Sequence, residues 1–416
     1  MTMAHDLIAT DAALADLCRA LESSAWIALD TEFLRERTYY ARLCLIQIGT
    51  PALVACIDPL ALESLEPLHA LLEDARLRKV LHAARQDLEV FHDLRRAGTR
   101  QCAAHGCANA ASAGSARAAR ERHDSRDGGG RATPGAVAED AGSDRGVVPA
   151  PLFDTQIAAA YLGYDDQIGY AALVTAITGV ALAKAHTRAD WSVRPLSAAQ
   201  IQYAEDDVRY LVPVYETLHE RLSLAGRLAW VEDDCARLTE PALYAADPAE
   251  AWRRLRGGAE LPAANQQMLR ALAAFREQTA QARNLPRGWV LRDEVLVELA
   301  RSAPQARAEL AAIHGLEDGA RQRWGDGLLA CIEQGRRAEP LPLWERRTPP
   351  TPEQNALGKR LMETVRAVAH EHGLSPALLA TRRDLEKLVR GADPGQVLRG
   401  WRAGLLGARL AALLPL

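Results

Sequence analysis

The residues that decide the fold are W-I-A-L-D-T-E-F, at positions 26–33. They form an apolar run that ends in two acids, Asp30 and Glu32. Side chains alternate along a β-strand, so residues two apart project from the same face. Two carboxylates so near to each other are unfavourable unless a cation neutralises their charges. The pair is therefore a candidate cation site, and the alternative is a strand that simply leaves the core.

Apolar runs around this stretch alternate with helical patterns, which predicts an α/β sheet covered on both faces. Further strands are predicted at residues 42–49, 53–57, 79–82 and 151–155. Helices are predicted at residues 62–75, 87–94, 156–162, 170–177 and 197–224.

Residues 97–146 interrupt this pattern. Among these 50 residues are 14 Ala and 9 Gly, with one large aliphatic residue, Val137, and no aromatic residue. Such a segment cannot bury enough apolar surface to offset the entropy of ordering its backbone. We predict a flexible surface insertion.

The length of 416 residues suggests two or three domains. Residues beyond 250 are rich in Ala, Leu and Arg with helical spacing, and 336–352 contain several prolines among arginines. The predicted units are an α/β domain at 1–225 that includes the insertion, a connector at 226–261, a helical bundle at 262–335, a linker at 336–352 and a second helical bundle at 353–416.

Charge is distributed unevenly along the chain. Residues 1–250 hold 24 Lys and Arg against 36 Asp and Glu, and residues 251–416 hold 26 against 18. The net charge is therefore -12 for residues 1–250, the front half, and +8 for residues 251–416, the rear half. This difference indicates that the rear half binds a polyanion. No apolar run approaches the roughly 20 residues that span a bilayer, and acids interrupt the N-terminal apolar stretches. We expect a cytoplasmic protein with no membrane partner.

Two more acids and a tyrosine are candidates for the same site. Asp87 lies near the start of a predicted helix, where an acid also complements the helix dipole. Tyr203 and Asp207 are four residues apart on a predicted helix and so share one face. Their alternative is the solvent-facing side of an amphipathic helix.

Four segments together resemble the DEDD 3'-5' exonucleases of the subclass with tyrosine. They are W-I-A-L-D-T-E-F, H-A-A-R-Q-D-L-E-V-F at 82–91, L-F-D-T-Q-I-A-A-A-Y-L-G at 152–163 and Y-A-E-D-D at 203–207. D-W-S-V-R-P-L at 190–196 narrows the resemblance to the ribonuclease D family.

The resemblance implies a ribonuclease H-like domain with a mixed sheet of five or six strands. It further implies that Asp30, Glu32, Asp87 and Asp207 hold two divalent metal ions, Mg²⁺ or Mn²⁺. Tyr203 would orient the attacking water. The products would be 5'-monophosphates taken one at a time from the 3' end.

The rear half resembles the helicase-and-ribonuclease-D C-terminal (HRDC) domain at 262–335, with a degenerate second copy at 353–416. The family uses such domains to hold structured nucleic acid. The resemblance to the ribonuclease D family as a whole implies RNA substrates, namely tRNA precursors and other small structured RNAs, and no obligate protein partner is evident from the sequence. The Gly358-Lys359 pair lacks the glycine spacing of a phosphate loop, so no ATPase motor is predicted. Two alternatives stay open: a DNA exonuclease of the same superfamily, and an RNA-binding protein whose nuclease the insertion has disabled.

Four residues near these motifs are candidate substrate contacts, each with a surface or packing role as its alternative. Phe33 and Gln47, beside the acidic strand, are expected to line the terminal nucleotide, and Lys184 and Arg194 to bind backbone phosphates. Asp154 precedes a helix as an N-cap would and is left out of the ligand set.

Overall fold

The computed structural model describes residues 7–104, 148–182, 189–344, 349–393 and 395–414, with the backbone alone for 95–104. Its N-terminal part is built on a mixed six-stranded sheet with the order β1-β4-β3-β2-β5-β6. The strands are β1 (Leu7–Ile8), β2 (Trp26–Leu34), β3 (Arg42–Gly49), β4 (Val54–Ile57), β5 (Arg78–Leu81) and β6 (Leu152–Asp154). The predicted fold class is confirmed.

Strand β2 is central, and its register sets the position of the acids. It pairs antiparallel with β3, where Asp30 lies opposite Gln47, and parallel with β5, where Ala28 lies opposite Val80. The sequence analysis missed β1, because its two residues are too few for an alternating pattern.

In the described residues of this part of the chain, eight α-helices accompany the sheet. They are α1 (Asp11–Leu21), α2 (Glu66–Glu73), α3 (Arg85–Ala104), α4 (Thr155–Ala160), α5 (Tyr170–Thr178), α6 (Ala198–Arg209), α7 (Leu211–Leu224) and α8 (Leu228–Leu238).

Two helix predictions were wrong in their bounds. Helix α3 continues to Ala104, so residues 97–104 extend a helix rather than begin the insertion; the rest of that prediction, 105–146, lies outside the described residues. The helix predicted at 197–224 is two helices that meet at Tyr210. Pro213 explains the break, because it has no N–H to donate to the carbonyl four residues earlier.

The rear half is helical. Its middle helices are α9 (Ala263–Arg283), α10 (Arg287–Val290), α11 (Asp293–Ser302) and α12 (Asp318–Arg337), and its terminal helices are α13 (Pro352–His372), α14 (Pro376–Leu379), α15 (Arg382–Val389) and α16 (Gly400–Ala411). Within the described ranges, no helix combines the length and the apolar character needed to cross a lipid bilayer.

The middle helices enclose a hydrophobic core of their own, whereas the terminal helices share the core of the sheet domain. Trp401 of α16 stacks on Trp230 of α8, with ring centroids 4.7 Å apart. Arg402 forms a two-pronged ion pair with Asp234 of α8 at 2.7 and 2.8 Å. The terminal helices are therefore packed onto the sheet domain as part of one body.

One side chain joins the middle helices to the segment between β2 and β3. Asn284 ends α9 in the left-handed conformation, with φ of 50°. Its Oδ1 accepts hydrogen bonds from the backbone N–H groups of Tyr39 at 3.1 Å and Tyr40 at 3.0 Å. The hydroxyl of Tyr39 donates to Glu277 and accepts from Arg287. The middle bundle is thus fastened to the loop that follows the acidic strand.

Candidate active site

Strand β2 carries its two acids on one face, as the alternation predicted. Asp30 lies opposite Gln47 and Glu32 opposite Leu45, and the register shifts between Glu32 and Phe33. A bulge of this kind bends the strand and increases its twist. The acids therefore lie just before the point at which β2 changes direction.

Helix α6 supplies the third acid. Ser197 and Gln200 form a reciprocal capping box that fixes its first turn. Gly49 of β3 lets the helix approach the sheet closely, because a Cβ at this position would lie 3.0 Å from the carbonyl oxygen of Val208. This close approach brings the adjacent residue, Asp207, to the acidic face of β2.

Three of the four predicted carboxylates converge. Asp30, Glu32 and Asp207 each offer an oxygen within 4.8 Å of the others. Asp87, in the first turn of α3, lies beside this group but outside it. Its carboxylate accepts a hydrogen bond from the hydroxyl of Thr31, on the opposite face of β2.

The acidic residues strongly affect one another's ionisation. Burial first, and then the charges of its acidic neighbours, raise the pKa of Asp30 well above its usual value. Burial followed by the charges of Asp207 and Asp87 raises the pKa of Glu32 to about 8. Burial raises the pKa of Asp207 to about 7 and that of Asp87 to about 6. Burial and mutual repulsion thus disfavour the charged forms of these carboxylates, and a cation bound among them would favour those forms.

Tyr203 lies one turn before Asp207 on the same face of α6. Its ring lies 6.0 Å from that of Trp191, measured between centroids. Burial, and then the charges of Asp207, Glu32 and Asp30, raise the pKa of the phenol. The phenol therefore stays protonated at neutral pH and lies close enough to these acids for their charges to act on it.

Tyr170 is a contributor that the sequence analysis missed. From the start of α5, its hydroxyl donates to the backbone carbonyl oxygens of Asp206 at 3.2 Å and Asp207 at 2.5 Å. It therefore fixes the turn of α6 that carries the third acid. Its partners lie 36 and 37 residues further along the chain, so no local pattern indicated the contact.

The side chain of Asp154 caps α4. Its side chain accepts from the backbone N–H of Gln156 at 2.8 Å, and also from those of Ala83 at 3.1 Å and Ala84 at 2.9 Å. The second pair of bonds holds the turn between β5 and α3, which delivers Asp87.

Arg194 lies in an internal network. Its guanidinium donates to both oxygens of Asp58, at 2.6 and 2.7 Å, and to the backbone carbonyls of Cys44 and Trp191. These donors hold the 190–196 segment against the sheet. The structure therefore gives Arg194 a structural role rather than a free phosphate-binding fork.

The other three predicted substrate contacts are placed differently. Phe33 is partly exposed directly after Glu32, where a contact with substrate stays a prediction. Gln47 is fully buried, so it does not reach a surface that a nucleotide could touch. Lys184 lies outside the described residues.

Comparison with known proteins places this site in a family. The sequence model of the 3'-5' exonuclease family matches residues 6–111 and 139–223, and that of the HRDC domain matches 265–332. Ribonuclease D of Granulibacter bethesdensis is 37% identical over 98% of this chain and 92% of its own length. The chain belongs to the ribonuclease D family.

Other members of the family are similar to this chain over nearly its full length. Ribonuclease D of Pseudomonas paraeruginosa is 35% identical over 97% of this chain and 96% of its own length. The crystal structure of Escherichia coli ribonuclease D, an exoribonuclease involved in structured RNA processing, matches 99% of this chain and 98% of that chain, with a TM-score of 0.79 and 30% identity. The chain is thus a 3'-5' exoribonuclease of the ribonuclease D type, and divalent-metal dependence is general in its superfamily.

Proposed function

We propose that the chain shortens RNA from the 3' end, one nucleotide at a time, by hydrolysis that uses two divalent cations, and that it matures the 3' ends of tRNA precursors. The observation that carries the proposal is the convergence of Asp30, Glu32 and Asp207 within 4.8 Å of one another. Elements far apart in the sequence build this cluster, although burial disfavours its charge.

The residues present fit Mg²⁺ or Mn²⁺. Both are hard cations that prefer carboxylate oxygens. Asp30, Glu32 and Asp207 would hold them, with Asp87 beside the group to complete the set. When bound, such cations lower the pKa of a coordinated water and neutralise the charge that develops on the leaving oxygen.

The remaining tasks fall to side chains of the chain itself. The hydroxyl of Tyr203 keeps its proton and can donate a hydrogen bond that orients the water or a phosphate oxygen. The hydroxyl of Thr31 donates a hydrogen bond to the carboxylate of Asp87 and so fixes its orientation. Tyr170 fixes the backbone at Asp207, so that the third acid keeps its position relative to β2.

The choice of tRNA precursors and other small structured RNAs is supported by charge and by family. Residues 251–416 carry a net charge of +8, whereas residues 1–250 carry a net charge of -12. A positive surface attracts the phosphate backbone without reading its sequence. The HRDC match lies within this positive half. We propose that the rear half holds the structured body of the RNA while its 3' end reaches the acids.

The test compares Asp30→Ala with the parent chain on 3'-extended tRNA, in Mg²⁺ and in EDTA. We expect loss of turnover by several orders of magnitude, with RNA binding largely kept, because the change removes a cation ligand and leaves the rear half intact. Asp206→Asn is the matched control. It removes one carboxylate next to the cluster, whose present partners are Gln202 and Arg209, and should keep near-parental turnover.

Equal turnover of Asp30→Ala and the parent would contradict the assignment. A DNA strand with the same 3' overhang is assayed in parallel, because ribose selectivity requires a contact with the 2'-hydroxyl. Equal rates on RNA and DNA would favour a general exonuclease. Binding of RNA without turnover in any metal would favour an RNA-binding protein with a disabled site.

A further inference from the structure

Gln47, in the middle of β3, is a buried amide. Its side chain is 0% exposed, and neither Oε1 nor Nε2 has a hydrogen-bond partner among the residues that the structure describes. Native proteins rarely leave buried polar atoms unpaired, and an exception indicates a water, an ion or a functional role. Both ends of this amide therefore need a partner at this point of the sheet.

The amide lies beneath the acidic cluster. Gln47 pairs with Asp30 of β2 on one side and with Cys56 of β4 on the other. Residues that face each other across neighbouring strands project from the same face, with Cβ atoms about 4.5–5.5 Å apart. Helix α6 covers that face, since Ala204 packs with Leu45 and Cys56. Gln47 is thus enclosed between Asp30 and the helix that carries the third acid.

We propose that Gln47 is a positioning residue of the cation site: with a cation bound, its Nε2 would donate to the carboxylate of Asp30, a bond that the cation-free structure does not contain. The inference rests on the proposed function. Carboxylates that bind metals are usually held by a further hydrogen-bond donor, which fixes their orientation. A neutral amide can do this without adding negative charge to the cluster. Unlike a lysine, it also carries no positive charge that would compete with the cation.

This role differs from the contact with the terminal nucleotide that the sequence suggested. Full burial separates Gln47 from substrate, so its substitution should act through the cation rather than through RNA binding. Cation affinity is therefore the quantity to measure, and activity is not needed.

The experiment measures the Mn²⁺ affinity of the full-length chain by electron paramagnetic resonance of free Mn²⁺, and its unfolding temperature in EDTA. Gln47→Met should weaken Mn²⁺ binding about 10- to 100-fold, which is typical for loss of a residue that supports a metal ligand. Its unfolding temperature in EDTA should be unchanged or higher, because an unpaired buried amide is removed. Leu45→Met is the matched control: it places the same side chain on the same face of β3, and should leave Mn²⁺ affinity within about twofold of the parent.

Mn²⁺ affinity within twofold of the parent in a folded Gln47→Met protein would overturn the proposal. If that variant does not fold, Gln47→Asn keeps the amide but shortens its reach; weakened binding supports the role and unchanged binding contradicts it. Asp30→Asn, measured alongside, separates the two levels of inference. If it binds Mn²⁺ as the parent does, the proposed cation site fails. If it loses Mn²⁺ while Gln47→Met keeps it, only the role of Gln47 fails.

Discussion

Replacing Asp207 by asparagine should stabilise the cation-free protein at alkaline pH, although the same change removes a proposed cation ligand. Without a cation, Asp207 faces Asp30 and Glu32 within 4.8 Å. Asparagine keeps the shape, replaces one acceptor oxygen by an NH2 donor, and cannot become charged. The neighbouring acids then ionise with less repulsion.

The size of this gain follows from the geometry. Two carboxylates at the upper limit of 4.8 Å repel each other by about 3.5 kcal/mol at an effective dielectric constant of about 20. The pKa of Asp207, raised from 3.8 to about 7 chiefly by burial, corresponds to about 4 kcal/mol. The two figures overlap and are not summed. Because Asp207 is partly exposed and solvent screens its charge, we expect a gain of about 2 kcal/mol in the free energy of unfolding.

The gain must depend on pH in one direction. The pKa of Asp207 is higher in the folded chain than in the unfolded chain, so its protonated form stabilises the fold at low pH. That stability is lost as the pH rises from about 4 to about 7, and the pKa of Glu32, at about 8, extends the loss. Asparagine has no such loss. The difference between variant and parent should therefore be small near pH 4 and full at about pH 8.

The assay is urea unfolding of the full-length parent and Asp207→Asn in EDTA at both pH values, followed by circular dichroism. Asp206→Asn, measured alongside, should give a smaller gain in the same direction, because the charge of Asp206 raises the pKa of Asp207 next after burial. Adding Mn²⁺ at pH 8 should stabilise the parent more than Asp207→Asn. A difference that is absent, or equal at both pH values, would refute the reasoning that repulsion among these acids opposes folding.

Two further predictions concern the contacts that hold the rear half. Asn284→Ala leaves the backbone N–H groups of Tyr39 and Tyr40 without their acceptor, and each unpaired group costs about 1–3 kcal/mol in free energy. The hydrogen exchange of these two groups, measured by mass spectrometry, should therefore become about ten- to a hundredfold faster. Unchanged exchange rates would show that the junction does not depend on this side chain. Arg402→Met leaves Asp234, whose side chain is 13% exposed, without its main cation and should lower the free energy of unfolding by about 3 kcal/mol. Adding Asp234→Leu should restore part of that loss, and a single-variant effect below about 1 kcal/mol would contradict a stabilising role for the pair.

Local patterns in the sequence located most of the site. Alternation along 26–33 placed Asp30 and Glu32 on one face, and the i,i+4 spacing placed Tyr203 above Asp207. That these elements meet did not follow from spacing; it came from the resemblance to a family. The six-stranded sheet was predicted except for β1, which is too short to carry a pattern.

The parts that sequence could not predict depend on distant partners. Arg194 was expected to meet phosphate, but its guanidinium binds Asp58, 136 residues earlier in the chain. Tyr170 had no signal as a contributor to the site. The helix break at Pro213 was readable from the proline itself, whereas the end of α3 was not, because alanine and glycine in 97–104 suggested disorder while the backbone continued as a helix.

The shared core of the sheet domain and the terminal helices has a consequence for the middle bundle. Both ends of that bundle continue in the chain into the unit that shares this core, through α8 on one side and α13 on the other. Loss of the hydrogen bonds from Tyr39 and Tyr40 to Asn284 would therefore leave the bundle at a high local concentration near that loop.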